Sequence, residues 1–240
     1  MLDVIILAGG TGRRLGALTR SKQKGALKFK DVPIITHVIQ SILPLRTLKT
    51  IWIATGYRGK DIQETLEVHH ADLLSSGKIR TLDAPHIRGE LSRFAYALGH
   101  LPKSRNCIIT GVDTILPAIV FQKLERRSRK LDQVTILMAV SAHTYIAPTH
   151  RLMTLARDVV KTYEHPDSVP RSERETRFTD VGTRFFHAKV LRELRGSVIP
   201  NDTDPDDFLR REVQKERDRV RAVVFKERWR HFASGTDFLK

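Results

Sequence analysis

Cysteine is nearly absent from this chain. A single residue, Cys107, occurs in 240, which excludes an intrachain disulfide and with it a small disulfide-stapled scaffold. Cys107 sits in the apolar run Cys107-Ile108-Ile109-Thr110 and is read as a small core residue. No stretch approaches the roughly 20 apolar residues of a membrane span. Met1-Leu2-Asp3 leads straight into an apolar strand, with no basic segment and cleavage site before it, so the expectation is a cytoplasmic protein. Internal repeats, low-complexity tracts and linkers are missing, and a single domain is expected over residues 1–240. Its first part, to about residue 140, is read as a nucleotide-binding half and the rest as an acceptor-binding half. His69-His70, His143 and His150 lack the spacing of a zinc site and are read as surface or packing residues.

Positive charge, by contrast, is abundant. Lys and Arg total 42 against 27 Asp and Glu, a formal net charge of +15. Such a balance favours polyanionic partners. The basic residues are nevertheless scattered among acids, as in Asp206 to Arg221, and no aromatic-interleaved basic stripe or arginine-rich tail appears. This distribution argues against nucleic acid as the main partner and for a basic surface that attracts phosphorylated substrates.

Apolar runs alternate with amphipathic stretches. The runs Val4–Leu7, Thr50–Ala54, Ile79–Leu82, Asn106–Thr110 and Val134–Val140 read as strands. Helical patterns lie between them at about 34–46, 59–70, 90–101 and 117–130. Ile62, Leu66, His69 and Leu73 share one helical face, and Ile119, Val120, Leu124 and Leu131 form a weaker stripe. The alternation predicts an α/β fold with a mostly parallel sheet. After residue 140, Ala147-Pro148, His165-Pro166 and Val169-Pro170 punctuate shorter strands at 157–163 and 177–186. Residues 164–176 read as an exposed loop. A charged helix over 206–219 turns Phe208, Leu209 and Val213 inward. Strands at 220–225 and 229–232 follow, Trp229 is expected in the core, and a last helix starts at 236.

Ligands of open parallel sheets sit outside the carboxyl ends of the strands. That rule places the segments Ala8–Arg14 and Gly111–Asp113 on one rim. The first holds Gly9-Gly10-Thr11-Gly12 followed by Arg13-Arg14, and Lys24 comes ten residues later. Glycines let backbone N–H groups crowd around an anion, and the cations add charge where a triphosphate would lie. Neither GxGxxG nor GxxxxGK[ST] spacing is met. Asp113 is read either as a rim residue facing the same ligand as the glycine loop or as a helix N-cap.

The run Leu7-Ala8-Gly9-Gly10-Thr11-Gly12-Arg13-Arg14-Leu15, then Leu18-Thr19, Lys24 and Val32-Pro33-Ile34 resembles the sugar-1-phosphate nucleotidylyltransferases. The resemblance is strong over residues 2–60 and patchier afterwards. It implies a Rossmann-like three-layer α/β/α sandwich with a mostly parallel mixed sheet. It also implies transfer of a nucleoside monophosphate from a nucleoside triphosphate to a sugar-1-phosphate or similar phosphorylated alcohol, with release of pyrophosphate. Arg14 and Lys24 fall on the family's catalytic arginine and lysine. Leu7 to Gly12, with Pro85 and Gly89, fall on its nucleotide site. Glu164, His165 and Gly182 fall on its acceptor site, and Asp113 on its Mg²⁺ ligand. A homo-oligomer is compatible with the family.

Several positions depart from the pattern. Gln23 replaces a proline before the lysine, and Ala17 one before Leu18-Thr19. Ala84 stands at the base-reading position, Val112 intervenes before Asp113, and His165 replaces a lysine. Ala233 occupies the position of a second metal-binding aspartate, and Asp237 lies four residues later. The alternative reading is therefore a non-catalytic nucleotide-binding module. Relatives that cytidylylate polyol or choline phosphates, or guanylylate a cofactor, share the same loop.

Overall fold

The computed structural model describes residues 1–87, 89–131, 135–142, 150–196, 205–215 and 218–238. The sequence readings at Arg88, Val134, His143, Ala147, Pro148, Leu239 and Lys240 lie outside the described residues.

Seven strands carry the central sheet: β1 (Leu2–Ala8), β2 (Leu48–Thr55), β3 (Ile79–Asp83), β4 (Asn106–Gly111), β5 (Ile136–Ser141), β6 (Phe178–Phe186) and β7 (Val220–Phe225). Their order is β7-β5-β6-β4-β1-β2-β3, extended past β7 by Val159–Val160 and Leu155–Ala156. The sheet is parallel from β3 through β4, and β5 and β7 are also parallel to each other. β6 runs antiparallel to both of its long neighbours. This strand, from the acceptor-binding half as read from sequence, lies between β4 and β5 of the other half, so one sheet joins the two.

β1 shows why the segment is a central strand. Its seven residues are all buried, as expected of a parallel strand covered on both faces. Val4, Ile6 and Ala8 pack with α1 (Ile34–Ile42), α2 (Gly59–His69) and α4 (Ala118–Ser128). Ile5 and Leu7 pack on the other face with α3 (Glu90–His100), α5 (Ala188–Gly196) and α6 (Pro205–Lys215). Period-2 alternation thus feeds two apolar layers, and each fully buried aliphatic side chain contributes about 1.5–3 kcal/mol. Cys107 is fully buried in the second layer, and burial pushes its thiol well above the ordinary range.

Some expectations need correction. Helix α2 stops at His69, which is exposed, and the chain bends so that His70 is buried instead, its Nε2 3.3 Å from Thr36 Oγ1. The strand expected at 157–163 is reduced to Val159–Val160 by a turn with Arg157 at φ 58°. Residues 164–176 are not a plain exposed loop: helical turns form at Pro166–Ser168 and Arg171–Arg174, and Pro166 and Val169 are buried. The strand at 229–232 shortens to Arg230–His231, which pairs with Thr114–Ile115 away from the main sheet. The segment from 236 is a short 3₁₀ turn, Gly235–Phe238. Trp229 is partly buried against the core, with its Nε1–H donating to Ser141 Oγ at 3.1 Å.

Candidate active site

The chain leaves β1 for β2 and β3 on one side, then returns to place β4 on the other. That reversal opens a crevice beyond the carboxyl ends of β1 and β4. Leu7 lies beside Gly111 in the ladder, so the loops after the two strands face one another.

After β1, Gly12 takes φ 64°, a left-handed conformation that glycine adopts without steric cost. Its carbonyl accepts from Leu15 N–H at 2.8 Å and from Thr19 Oγ1 at 3.0 Å, fixing the two short helical turns of Arg13–Thr19. The N–H groups of Gly10, Thr11 and Gly12 have no acceptor among the described residues. Three free donors beside two arginines form an anion cradle. Gln23 holds the far end of the loop. Its backbone N–H donates to Asp61 Oδ2 at 2.7 Å, its Nε2 donates to the Ala8 carbonyl at 2.8 Å, and its Oε1 accepts from Gly25 N–H.

Lys24 meets Asp113 at the centre of the crevice. Its Nζ pairs with Asp113 Oδ2, with both side chains largely shielded from solvent. Burial alone would raise the Asp113 carboxyl. The Lys24 ammonium beside it, with a smaller contribution from His231, holds it well below the usual carboxylate range. The N-cap reading of Asp113 does not hold, because Thr114–Ile115 is a strand and Pro117 caps α4.

Two cavities meet at this pair. One, of about 850 Å³, is lined by Leu7, Gly9–Thr11, Gly56–Arg58, Pro85, Ile87, Gly89 and Arg93. The other, of about 530 Å³, is lined by Gly12, Arg14, His150, Arg151, Tyr163, Asp180–Gly182, Arg184, His231 and Ala233. Gly10, Thr11, Arg13, Lys24, Glu90, Gly111 and Asp113 border both. A long substrate could thread the first cavity, cross the Lys24–Asp113 seam and meet a second molecule in the other.

The sequence-predicted residues fall unevenly. Leu7, Gly9, Gly10, Thr11, Pro85 and Gly89 line the larger cavity, and Gly12, Arg14 and Gly182 the smaller. Ala8 is buried and contributes its carbonyl to Gln23. Glu164 and His165 are not among the residues lining either cavity. The Glu164 carboxylate lies 3.6 Å from Arg177, and His165 Nδ1 accepts from Asp167 N–H at 3.2 Å as a helix cap. Tyr163, one residue earlier, does face the cavity. Its hydroxyl donates to Asp180 Oδ2 at 2.7 Å, and the same oxygen accepts from Arg184 Nη2 at 2.7 Å. Asp180 Oδ1 accepts from Gly182 N–H at 2.9 Å, and Gly182 has φ 75°.

No motif marked Asp180, Arg184, Arg93 or His231, because tertiary packing alone brings them to the crevice. His150, expected at the surface or in packing, is buried and lines the smaller cavity. Its ring stands edge-on to His231 at 4.6 Å and to Trp229 at 5.4 Å. Burial, then the neighbouring His231, lowers it from the ordinary 6.5 to about 4. Asp237 does not substitute for a carboxylate at Ala233. Its Oδ2 accepts from the N–H groups of Ala233 at 2.8 Å and Ser234 at 2.6 Å.

Comparison with solved structures places this architecture. A “putative glucose-1-phosphate thymidylyltransferase” from Bacillus anthracis, in complex with sucrose, superposes with a TM-score of 0.79 at 14% identity. The match covers 100% of this chain and 93% of that one. The inositol-1-phosphate CTP transferase from T. maritima superposes with a TM-score of 0.77 at 15% identity, covering 98% and 90%. Both share the Rossmann-like mixed sheet. The model of the MobA-like NTP transferase domain matches residues 4–199. With the cradle after β1, the Lys24–Asp113 seam and that match across most of the sheet, the chain belongs to the MobA-like NTP transferase domain family and is an enzyme of the nucleotidyltransferase type.

Proposed function

We propose that this protein transfers a nucleoside monophosphate from a nucleoside triphosphate to the phosphate of a sugar-1-phosphate or similar phosphorylated alcohol. The observation that carries this reading is the meeting of two cavities at Lys24 and Asp113, beside a loop with three N–H groups that have no acceptor among the described residues. An acceptor phosphate oxygen attacks the α-phosphorus. The bond from the α-phosphorus to the bridging oxygen of the β-phosphate breaks, and pyrophosphate leaves. Such chemistry asks the protein for positioning and charge neutralisation. The N–H groups of Gly10–Gly12 cradle phosphate oxygens, Arg13 and Arg14 offset the charge on the departing pyrophosphate, and Lys24 moves from Asp113 to the α-phosphate. The larger cavity suits the nucleoside and the smaller one the acceptor.

The family resemblance implies Mg²⁺, and the residues present fit it with one carboxylate. Asp113 borders both cavities and stays ionised, the Ala233 side chain offers no ligand atom, and Asp237 Oδ2 is committed to backbone amides. Mg²⁺ is commonly held by one or two carboxylates plus substrate phosphates and water. Asp113 would hold it, where it would supply charge neutralisation on the phosphates.

The test is pyrophosphate release with each nucleoside triphosphate, Mg²⁺ and a panel of sugar-1-phosphates and polyol phosphates. Turnover with at least one pair is expected. Binding of a triphosphate without turnover across the panel would favour the non-catalytic module that Ala233 suggests.

A further inference from the structure

The larger cavity lacks the polar side chain that resemblance places before Pro85, because that position is Ala84, fully buried and apolar. A different residue fills the role of a polar wall. Arg93, on the first turns of α3, is 7% exposed and lines this cavity. Its guanidinium lies against two glycines. A Cβ on Gly9 would fall 2.1 Å from Arg93 Nε, and one on Gly56 would fall 2.7 Å from Nη2. The absence of side chains at both positions makes the room that the group occupies. Arg93 Nε donates to the Thr55 carbonyl at 3.3 Å and Nη2 to the Ile87 carbonyl. Its Nη1 has no acceptor among the described residues. No salt bridge within the described residues joins this buried cation to a carboxylate; Glu90, earlier on the same helix and on the wall of the same cavity, acts on it only through space. Two carbonyls do not use up a fork of five N–H donors, and Nη1 is not sealed off from the cavity.

We propose that Arg93 is the specificity-determining residue of the nucleotide cavity, donating from Nη1 and from the second N–H of Nη2 to the nucleobase and selecting bases that present two adjacent acceptors. This rests on the nucleotidyl-transfer reading above. Guanine offers O6 beside N7, the edge that arginine reads bidentately in other settings. Cytosine offers O2 beside N3. Adenine sets its N6 amino donor beside each acceptor on that edge, and uracil sets N3–H between its two oxygens, so each meets the fork with a donor facing a donor. The carbonyls of Thr55 and Ile87 hold the guanidinium in one orientation, which turns a flexible side chain into a fixed reader.

The test is calorimetric titration of the whole protein with GTP, CTP, ATP, UTP and inorganic tripolyphosphate, in the presence of Mg²⁺. The wild type is expected to bind GTP or CTP at least about tenfold tighter than ATP and UTP. In Arg93→Met this preference should collapse, while tripolyphosphate, which has no base, still binds. Arg93→Lys keeps the charge without the fork and should lose the preference too. It serves as the variant of record if the methionine protein does not fold. Equal affinity for all four nucleotides in the wild type, or a preference that survives both substitutions, overturns the proposal. Failure of every nucleotide and of tripolyphosphate to bind the wild type would instead overturn the nucleotide-transfer reading beneath it.

Discussion

Single residues carry the charge chemistry of the crevice. Lys24 and Asp113 neutralise each other across the seam, and Arg14 has no ion-pair partner among the described residues. Removing a preorganised group that meets transition-state charge costs about 10²–10³ in rate. Arg14→Ala and Lys24→Ala are each expected to lower turnover at least ~100-fold in the pyrophosphate assay. Rates near wild type in either would contradict the roles given them. His150 supplies a different handle. Its folded-state value of about 4 lies below the ordinary 6.5. Between those values the unfolded chain binds a proton that the folded chain does not, so stability is lost as pH falls through that window. From about pH 7 to about pH 5 the loss is on the order of 2 kcal/mol. His150→Phe keeps a ring against Trp229, and urea melts at the two pH values should show a correspondingly smaller decline.

Elements set where those residues stand. The loop after β1 is anchored by Gln23, whose side chain bridges the Ala8 carbonyl and Gly25 N–H. Where the family pattern has a proline, the Gln23 side chain makes two hydrogen bonds that a proline could not make. Gln23→Ala would leave a buried carbonyl and a buried N–H unpaired, at about 1–3 kcal/mol each. The expected outcome is a lower urea midpoint, together with weaker triphosphate binding as the cradle loosens. An unchanged midpoint would mean that other contacts fix the loop. β6 is the other decisive element. Its register shifts between Asp180 and Arg184, and the irregularity sits at the rim, where bulges re-aim side chains. Asp180, Gly182 and Arg184 thereby line the smaller cavity.

At the scale of the molecule, the net charge of +15 raises the local concentration of polyanionic substrates around a crevice bordered by Arg13, Arg14, Lys24 and Arg151. Salt screens that field. The Michaelis constant for the triphosphate is expected to rise several-fold between about 0.05 M and about 0.5 M NaCl, with a smaller change in kcat. A constant insensitive to salt would assign binding to short-range contacts alone. Within the described residues no helix is long and apolar enough to cross a membrane. Burial of both faces of β1, β2 and β4 makes the sheet a rigid floor, so substrate-linked motion is expected in the rim loops rather than the strands.

The strands were legible because burial on both faces leaves an unbroken apolar run: Val4–Leu7, Thr50–Ala54 and Asn106–Thr110 all lie within observed strands. The glycine cradle was legible for a similar reason, since free N–H groups and φ above zero demand a particular residue at a particular place. Contacts between distant segments were not legible. Arg93 lies 84 positions from Gly9 and His231 more than a hundred from Asp113, and no local pattern encodes such a meeting. Nor does exposure follow from periodicity alone where a helix ends, as the exchange of His69 for His70 shows. The sequence by itself determined a parallel α/β sheet with a phosphate loop on its first strand, because those features are local in the chain. Only the tertiary structure decided which side chains face the substrates, because the crevice is built where strands separated in sequence become neighbours.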